Sequence, residues 1–564
     1  MDWNIRKHDR VKADELARAT GLRPLTAAIL ISRGVDTLIK VRHFLNPDLC
    51  HLNDPFTLAD LGVAVDRISH AIKTSEKILI WGDYDVDGTT GTVLLRKAIR
   101  LLGAETEFYI PNRFTEGYGL NIPALDAAKK RGCKVIITVD SGTRNHEAAD
   151  WASENGIDLI ITDHHEPDAQ KGHPGAFAFI NPKRGDCHYP DKNLAGVGVA
   201  YKLADALLRR NIRIRESRTL LQIAAIGTVA DVMDLSGENR AIVALGISDL
   251  RNSENIGLRA LMETAGCSAD MTSAHIAYRI GPRINAAGRM DAAGTVVKLF
   301  EAEDYPTARN LAETLDSLNR QRQAVQQEIT DSALREAVDS SNRHFVVVSG
   351  EAWHRGVLGL AASRIAERLY RPAIALAVEN GKASGSGRSI AGFDLLGALD
   401  SCADILVQYG GHRAAAGMTI ESENIREFRN RLNNYTQGIL GDDQVQRVIE
   451  IDALVSPETL TIDLVREIEL LEPFGHGNPR PMFATRGLYL RQDPFVMKEK
   501  HLKLHLSDDK GRRFEAIWWN GVEKSQGQTL TSGLGIKIAY TAEIDSWQGN
   551  TRLQLVITDL KSDN

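Results

Sequence analysis

The sequence lacks the features of membrane and secreted proteins. No apolar run approaches the roughly 18 residues of a membrane-spanning helix, and the first ten residues, MDWNIRKHDR, contain no apolar signal core. Its few cysteines are scattered without CxxC spacing, which gives no sign of a disulfide framework or a cysteine zinc site and is typical of reduced thiols. They are Cys50, Cys133, Cys187, Cys267 and Cys402. We therefore expect a cytoplasmic protein.

The sequence also lacks an excess of positive charge. Its 68 basic and 74 acidic side chains leave a formal net charge of −6 over 564 residues. A nucleic-acid partner would thus need a basic surface that is local. The contents of hydrophobic residues, 43%, and charged residues, 25%, are ordinary for a globular protein. The length predicts three or four domains.

Three carboxylates stand at alternate positions in GDYDVDG, residues 82–88. Asp83, Asp85 and Asp87 follow an apolar run, Ile78–Trp81, that predicts a short buried strand. Such carboxylates repel one another unless a cation lies between them. A solvated acidic turn is the simpler alternative. A calcium loop of the EF-hand type is excluded, because its twelfth position, which requires Glu, is Leu94.

Further acidic and histidine residues follow other strand-like runs between residues 58 and 250. This alternation of strands and helices predicts an α/β fold with a mainly parallel sheet that is covered by helices on both faces. Ligands bind such sheets at the carboxyl ends of the strands. Asp140 in TVDSGT, Asp163, His164 and His165 in TDHH, and Asp231 in GTVADVMDL are expected at or near this edge. Together with Asp83, Asp85 and Asp87, they suit two Mg²⁺ or Mn²⁺ ions and phosphoester hydrolysis. The predicted strands are Ile78–Trp81, Glu107–Ile110, Val135–Val139, Leu159–Thr162 and Phe177–Ile180.

In this order, GDYDVDG, TVDSGT, TDHH and GTVADV resemble the four motifs of the DHH phosphoesterase superfamily. The resemblance implies that Asp140 bridges two metal ions and that His165 contacts the scissile phosphate. Whether Asp83 contacts a metal ion or only positions Asp85 and Asp87 stays open. The implied metal ligands are Asp83, Asp85, Asp87, Asp140, His164 and Asp231.

Two arginines lie in the segment HIAYRIGPRINAAGRMDAAG, residues 275–294. Arg283 and Arg289 are surrounded by small residues, which let a phosphate approach the chain closely, and arginine binds phosphate through two donors. A surface ion pair is the alternative for either residue. We expect substrate contact from both and a part in catalysis for Arg289.

A second α/β domain begins near His344 with FVVVSG, after a polar, glycine-free segment that predicts a long connecting helix. Its segments WHRGVLGLAASRI, SGSGRS and GGHRAAAG resemble the DHHA1 domain. This resemblance implies that Arg113, Ser386 and Arg388 hold a terminal phosphate and that His412 lines the substrate path. The inorganic pyrophosphatases of the superfamily have a different second domain.

Short alternating segments near the C-terminus, such as Leu502–Leu506, Phe514–Trp519 and Ile536–Ile544, predict a small β-barrel like an OB-fold. Of its aromatic residues Trp518, Trp519, Tyr540 and Trp547, most are expected in the core. The predicted division is a helical leader at 1–50, a DHH domain at 51–300, a connecting helix at 301–342, a DHHA1 domain at 343–440 and an OB-like domain at 441–564.

This order of domains resembles the single-stranded-DNA-specific exonucleases of the superfamily. It implies 5′→3′ degradation of single-stranded DNA to mononucleotides, with two Mg²⁺ or Mn²⁺ ions, in recombination and repair. A monomer that works with single-stranded-DNA-binding protein and recombination helicases is implied as well. One alternative is a phosphodiesterase of short oligonucleotides or cyclic dinucleotides, which would need no barrel. Another is a non-catalytic binding module, which would not need the complete set of motif carboxylates.

Overall fold

The fold is mixed α/β, as predicted, and the described residues form four β-sheets. The structure, a computed structural model, describes residues 2–168, 170–267, 270–337, 344–440, 447–525, 528–547 and 550–563. Within these ranges, no helix combines the length and the apolar character needed to span a bilayer. The predicted domain borders at 342/343 and 440/441 touch residues outside the described ranges.

The first 45 residues are mostly helical, as expected, but begin with a strand that the sequence did not predict. The helices pack against the C-terminal domain, where Leu16, Ile29 and Leu30 join its hydrophobic core. The elements are β1 (Asp2–Ile5), α1 (Arg10–Thr20), α2 (Pro24–Ser32) and α3 (Leu38–Leu45).

The next region contains the predicted parallel sheet, with the strand order β3-β2-β4-β5-β6. Its five strands coincide with the five predicted runs to within two residues at each end. Separate hydrophobic clusters cover its two faces. The elements are α4 (Leu61–Lys73), β2 (Lys77–Trp81), α5 (Val86–Leu101), β3 (Thr106–Tyr109), α6 (Ile122–Lys130), β4 (Cys133–Val139), α7 (His146–Glu154), β5 (Asp158–Thr162) and β6 (Ala178–Ile180).

After β6 the described chain up to Ala337 is helical, so the expected alternation ends earlier than residue 250. The apolar segments beyond Ile180 are buried helices, which short apolar runs do not distinguish from buried strands. The helices are α8 (Gly196–Arg210), α9 (Ile214–Thr219), α10 (Leu221–Ala230), α11 (Gly237–Leu250), α12 (Ile256–Thr264), α13 (Ser273–His275), α14 (Gly281–Arg289), α15 (Gly294–Phe300) and α16 (Tyr305–Ala337). A π-helical turn, Ile276–Ile280, precedes α14, and α16 is the predicted long helix.

The second domain is a five-stranded sheet with the order β10-β11-β9-β8-β7 and helices packed against it. Strands β7 and β8 run parallel, and the other pairs are antiparallel. The elements are β7 (Val346–Glu351), α17 (Leu358–Leu369), β8 (Ala373–Glu379), β9 (Lys382–Arg388), α18 (Leu395–Asp400), β10 (Leu406–His412), β11 (Ala415–Glu421) and α19 (Ile425–Leu440).

The C-terminal domain forms a seven-stranded sheet that an extra pairing of β14 with β16 closes on itself. Trp518 and Tyr540 lie in its core, as expected, whereas Trp519 is 48% exposed and the side chain of Trp547 lies outside the described residues. The elements are β12 (Val448–Ile451), β13 (Ala453–Leu454), α20 (Ile462–Glu469), β14 (Phe483–Leu490), β15 (Phe495–Met497), β16 (His501–Ser507), β17 (Arg513–Trp518), α21 (Gly521–Lys524), β18 (Gly535–Trp547) and β19 (Asn550–Ser562).

Candidate active site

The three alternating carboxylates lie where β2 ends and α5 begins. Asp85 is the N-cap residue of α5, and its side chain accepts a hydrogen bond of 3.0 Å from the Gly88 amide. Asp87, in the first turn, is buried and accepts hydrogen bonds of 2.7 Å from the amides of Gly196 and Val197 at the start of α8. The N-terminal ends of two helices therefore help to hold the negative charge of this motif.

Asp140 follows β4 in the left-handed region of the backbone, with φ +59°. Its amide donates to the Thr162 carbonyl over 3.0 Å, and its carbonyl accepts from the Tyr118 hydroxyl over 2.8 Å. A side chain at Gly196 would collide with Asp140, so the glycine allows α8 to approach this carboxylate closely. These contacts fix a strained turn that aims the carboxylate across the carboxyl edge of the sheet.

The predicted ligands converge in two groups. Ligand atoms of Asp83, Asp85 and Asp140 all lie within 4.8 Å of one another, and so do those of Asp87, His164 and Asp231. Asp140 joins the groups, because its Oδ1 lies 3.2 Å from His164 Nε2. Asp231 reaches the site from the C-terminal end of α10, and its Oδ2 lies 3.7 Å from the same nitrogen.

The donor set fits divalent cations. The Oδ1 atoms of Asp83 and Asp140 are buried without a hydrogen-bond partner, which is costly unless another charge satisfies them. Five carboxylates and an imidazole are ligands that Mg²⁺ and Mn²⁺ accept. Asp83 lies at ligand distance from Asp85 and Asp140. The geometry therefore favours metal contact by Asp83 over a purely supporting role.

The raised pKa values of the aspartates also indicate that a nearby positive charge would stabilise their ionised forms. Burial, followed by the charges of neighbouring aspartates, raises the pKa of Asp87 to about 7 and that of Asp231 to about 9. The same causes raise the pKa values of Asp83 and Asp140 well above the ordinary range. Burial and the neighbouring His165 lower the pKa of His164 to about 4. A neutral imidazole is the form that binds a metal ion.

Asp163 positions the second histidine of the TDHH segment. Its buried carboxylate accepts hydrogen bonds from the Thr143 amide over 2.9 Å and from the His164 amide over 2.7 Å. It also lies 2.8 Å from Nδ1 of His165. Burial alone would lower the pKa of His165, but the hydrogen bond to Asp163 raises it above the usual value. His165, with a side chain 48% exposed, can thus carry a proton at the mouth of the site.

Four arginines from separate parts of the chain lie near one another beside the carboxylates. This arginine group consists of Arg113, Arg289, Arg322 and Arg388. Burial, together with Arg113, Arg322 and Arg388, lowers the pKa of Arg289 to about 10. Arg289 Nη1 donates to the Gly356 carbonyl over 2.9 Å, which joins the two α/β domains. Arg113 lies over the Tyr84 ring, 4.8 Å from its centre. Like charges that gather in a partly buried place favour the binding of an anion such as phosphate.

The other predicted substrate residues take different positions. Ser386 accepts a 2.9 Å hydrogen bond from Arg388 and so belongs to the arginine group. Arg283 instead forms an ion pair of 2.8 Å with Asp316 of α16, which is the alternative that the sequence left open. This geometry gives no support to its predicted substrate contact. His412 is exposed on β10, at the open edge of the second sheet.

Two residues of the site escaped the sequence analysis. Tyr118, which holds the Asp140 carbonyl, lies in a glycine-rich loop that gave no signal. Arg322 belongs to α16, whose polar segment predicted a connecting helix and no part in the site. The sequence does contain a sign of its burial. Arg322 lies four residues after Leu318 and three before Val325, which places it on the apolar face of the helix.

Three family models match the chain. The DHH family N-terminal domain matches residues 77–228, the DHHA1 domain residues 342–438, and the RecJ OB domain residues 451–559. The order of the three matches is the order that the motifs predict.

Curated relatives match along nearly the whole chain. The single-stranded-DNA-specific exonuclease RecJ of Bacillus subtilis is 38% identical over 567 residues, which cover 99% of this chain and 70% of the relative. The RecJ exonuclease of Escherichia coli is 33% identical, with 98% of each chain covered.

Solved structures give the same result. RecJ of Thermus thermophilus in complex with Mn²⁺ superposes with a TM-score of 0.84 at 29% identity, over 100% of this chain and 79% of that one. The same enzyme in complex with Mg²⁺ gives a TM-score of 0.78 at 28% identity, over 100% and 78% of the two chains.

Proposed function

The chain belongs to the RecJ family of single-stranded-DNA-specific exonucleases, and on that premise we propose that it removes nucleotides one at a time from the 5′ end of single-stranded DNA. The observation that carries this proposal is the pair of ligand groups that Asp140 joins, beside four neighbouring arginines. The first suits phosphodiester hydrolysis, and the second suits a terminal phosphate. DNA recombination and repair are the processes that need such an activity.

The metal ligands of this proposal are Asp83, Asp85 and Asp140 for one ion and Asp87, His164 and Asp231 for the other, with Asp140 shared. Two Mg²⁺ or Mn²⁺ ions would supply the positive charge that stabilises the attacking and leaving oxygens during hydrolysis. The amides of Gly196 and Val197 fix the Asp87 carboxylate for this role. Tyr118 and Thr162 fix the backbone of Asp140.

His165 would act at the scissile phosphate. Its Nδ1 is engaged by Asp163, so its Nε2 is the nitrogen left to face a substrate. The raised pKa keeps a larger fraction of the imidazole protonated near neutral pH. A protonated ring can neutralise a phosphate oxygen or donate a proton to the leaving oxygen.

The arginine group would set the direction of degradation. Arg113, Arg289, Arg322 and Arg388, with Ser386, offer many donors to a 5′-terminal phosphate. A strand anchored by this end presents its first phosphodiester bond to the ligand groups. We expect His412, at the exposed sheet edge, and the OB domain to hold the rest of the strand.

A labelled-oligonucleotide assay tests the function. Single-stranded and duplex DNA and RNA, labelled at either end, are incubated with Mn²⁺ or with EDTA. Metal-dependent loss of nucleotides from the 5′ end of single-stranded DNA alone supports the proposal. Binding without cleavage contradicts it, and cleavage restricted to dinucleotides would identify a small-substrate phosphodiesterase instead.

We further propose that the enzyme works as a cytoplasmic monomer with single-stranded-DNA-binding protein and a recombination helicase. The five cysteines are free thiols, which agrees with a reducing compartment. Light scattering of the purified protein measures its mass. The initial rate on DNA coated with single-stranded-DNA-binding protein, compared with naked DNA, tests the partnership. A dimer, or inhibition by the coat, would contradict this part.

A further inference from the structure

The segment that carries Asp231 departs from favourable backbone geometry. Asp231 is the C-cap residue of α10, and the next residue, Val232, has φ +58°. A β-branched residue is a strong outlier in the left-handed region. Such a conformation persists only where surrounding contacts over-determine it. Val232 is 65% exposed, so packing of its own side chain does not supply them.

Local hydrogen bonds at the end of α10, from the Val232 and Met233 amides to the Val229 and Thr228 carbonyls, supply some of these contacts. The linker that leads into the OB domain, Glu472–Asn478, adds others to the residues that follow. The Leu235 amide donates to the His476 carbonyl over 2.8 Å. Gly477, with φ +71°, lies so close to Asp234 that a methyl group there would collide with the carboxylate. A side chain at Gly475 would approach Leu235 to 2.6 Å. The linker therefore contacts Asp234 and Leu235, which lie three and four residues beyond a predicted metal ligand.

Arg240 of α11 binds the first two residues of the linker through hydrogen bonds. Its guanidinium is buried and donates to the Glu472 carbonyl over 2.6 Å and to the Pro473 carbonyl over 3.4 Å. It also donates to the Phe44 carbonyl of the N-terminal helices over 2.8 Å. Asn239 donates to the Asp234 carbonyl over 3.1 Å, which completes the hold on this turn.

We infer that the linker Glu472–Asn478 is a positioning element of the metal centre, with Gly477 and Arg240 as its positioning residues. The position of this linker, where the OB domain meets the catalytic domain, sets the orientation of Asp231. It thereby sets the affinity of the ion that Asp87, His164 and Asp231 would hold. The inference rests on the proposed role of Asp231 as a metal ligand. It adds that residues far from any substrate act on metal binding through the turn at Val232.

Mn²⁺ binding to the full-length protein, measured by calorimetry without DNA, tests this inference. Gly477→Ala forces Asp234 away and should raise the dissociation constant of one ion about 10-fold, a typical effect of residues that orient metal ligands. Gly487→Ala is the matched control, because Gly487 has a similar φ of +69° in the same domain but nothing within 4 Å of the added methyl. Equal Mn²⁺ affinity in both variants would overturn the inference.

A second substitution tests whether the effect of Gly477→Ala on Mn²⁺ affinity acts through Asp234. Asp234→Ala removes the group that the new methyl meets, so the double variant G477A/D234A should recover most of the Mn²⁺ affinity. If the Mn²⁺ affinity of the double variant does not recover, the effect of G477A does not act through Asp234. Should G477A not fold, as judged by circular dichroism, Arg240→Lys takes its place, with Arg309→Lys, at an exposed position on α16, as control. Lysine keeps the charge but loses the paired donors to the linker, so the Mn²⁺ dissociation constant should again rise.

Asp231→Ala separates the two proposals. If D231A binds Mn²⁺ as the wild type does, the proposed metal role of Asp231 is wrong. If D231A loses one ion while G477A and R240K bind both normally, only the positioning inference is wrong.

Discussion

At the scale of single residues, the site concentrates negative charge in a place with little water. Asp83, Asp87 and Asp140 are each at most 3% exposed. Asp140 also adopts a left-handed backbone, which costs on the order of 1–3 kcal/mol in a non-glycine residue. Unpaired buried carboxylates together with local strain are typical of sites where a ligand supplies the missing interaction.

Asp140→Ala should abolish cleavage of single-stranded DNA while DNA binding stays close to wild type. Asp140 joins the two ligand groups, and metal charge contributes several kcal/mol at the transition state, so we expect a rate loss of roughly 10³-fold or more. Single-turnover cleavage with Mn²⁺ and DNA binding in EDTA measure the two effects. Asp126→Ala, on α6 of the same domain, is the control. Turnover by D140A near the wild-type rate would refute the bridging role.

Without metal, the protein should lose stability as the pH rises from about 4 to about 9. The folded-state pKa values of Asp87, about 7, and Asp231, about 9, lie above the value near 4 of an unfolded aspartate. Each contributes stability that is complete below about pH 4, falls as the unfolded chain ionises, and is lost once the pH has passed the folded value. Chemical unfolding in EDTA measures the slope, and Mn²⁺ should stabilise more strongly at pH 9 than at pH 7.

Asp231→Asn supplies the comparison for this pH dependence, because asparagine does not titrate. Its free energy of unfolding should fall less steeply with pH than that of the wild type. Identical slopes would show that Asp231 ionises normally in the folded protein.

At the scale of elements, the strands of the parallel sheet were predictable, because each is an apolar run followed by a polar motif. The carboxyl edge then placed Asp83, Asp140 and His164 together without any knowledge of the helices. The helical region after Ile180 was not predictable in the same way, since short buried runs lack a distinct period. The ion pair of Arg283 depends on α16, which lies more than 20 residues away in sequence.

The long helix α16 contributes to the arginine group through Arg322. Arg322→Ala should weaken binding of 5′-phosphorylated DNA while leaving 5′-hydroxyl DNA less affected, since one phosphate contact is lost. We expect a rise in KM of about 10-fold on the phosphorylated substrate, because charge-assisted hydrogen bonds contribute roughly 1.5–3 kcal/mol. Arg309→Ala, on the same helix with an exposed side chain, is the control. An equal rise in KM on both substrates would argue against contact with the terminal phosphate.

At the scale of the whole molecule, the two ends of the chain form one unit. Strand β1 pairs in parallel with β12, and α2 lies in the hydrophobic core of the OB domain. The sequence predicted helices here but not their location, because a partner more than 400 residues away leaves no local pattern. In sequence, the catalytic sheet therefore lies between two segments that pack together, the N-terminal helices and the OB domain.

Leu30→Ala should destabilise the OB domain rather than the catalytic domain. Leu30 is fully buried in the core shared with Trp518, and such truncations cost about 2–5 kcal/mol. Thermal unfolding should show an earlier transition than in the wild type. Val11→Ala, at a position 67% exposed, should leave the melting curve unchanged. A loss of Mn²⁺ affinity without destabilisation in L30A would contradict this assignment.

The pairing of β1 with β12 also has a consequence for synthesis of the chain. Asn4 and Glu450, which face each other across this pairing, are 446 residues apart. At ordinary rates of translation, the segment made first waits roughly 20 to 90 s for its partner strand to leave the ribosome. During that time the apolar faces of α1 and α2 have no OB core to cover them. During this interval the nascent chain thus carries an exposed hydrophobic segment, which is the kind of surface that chaperones bind.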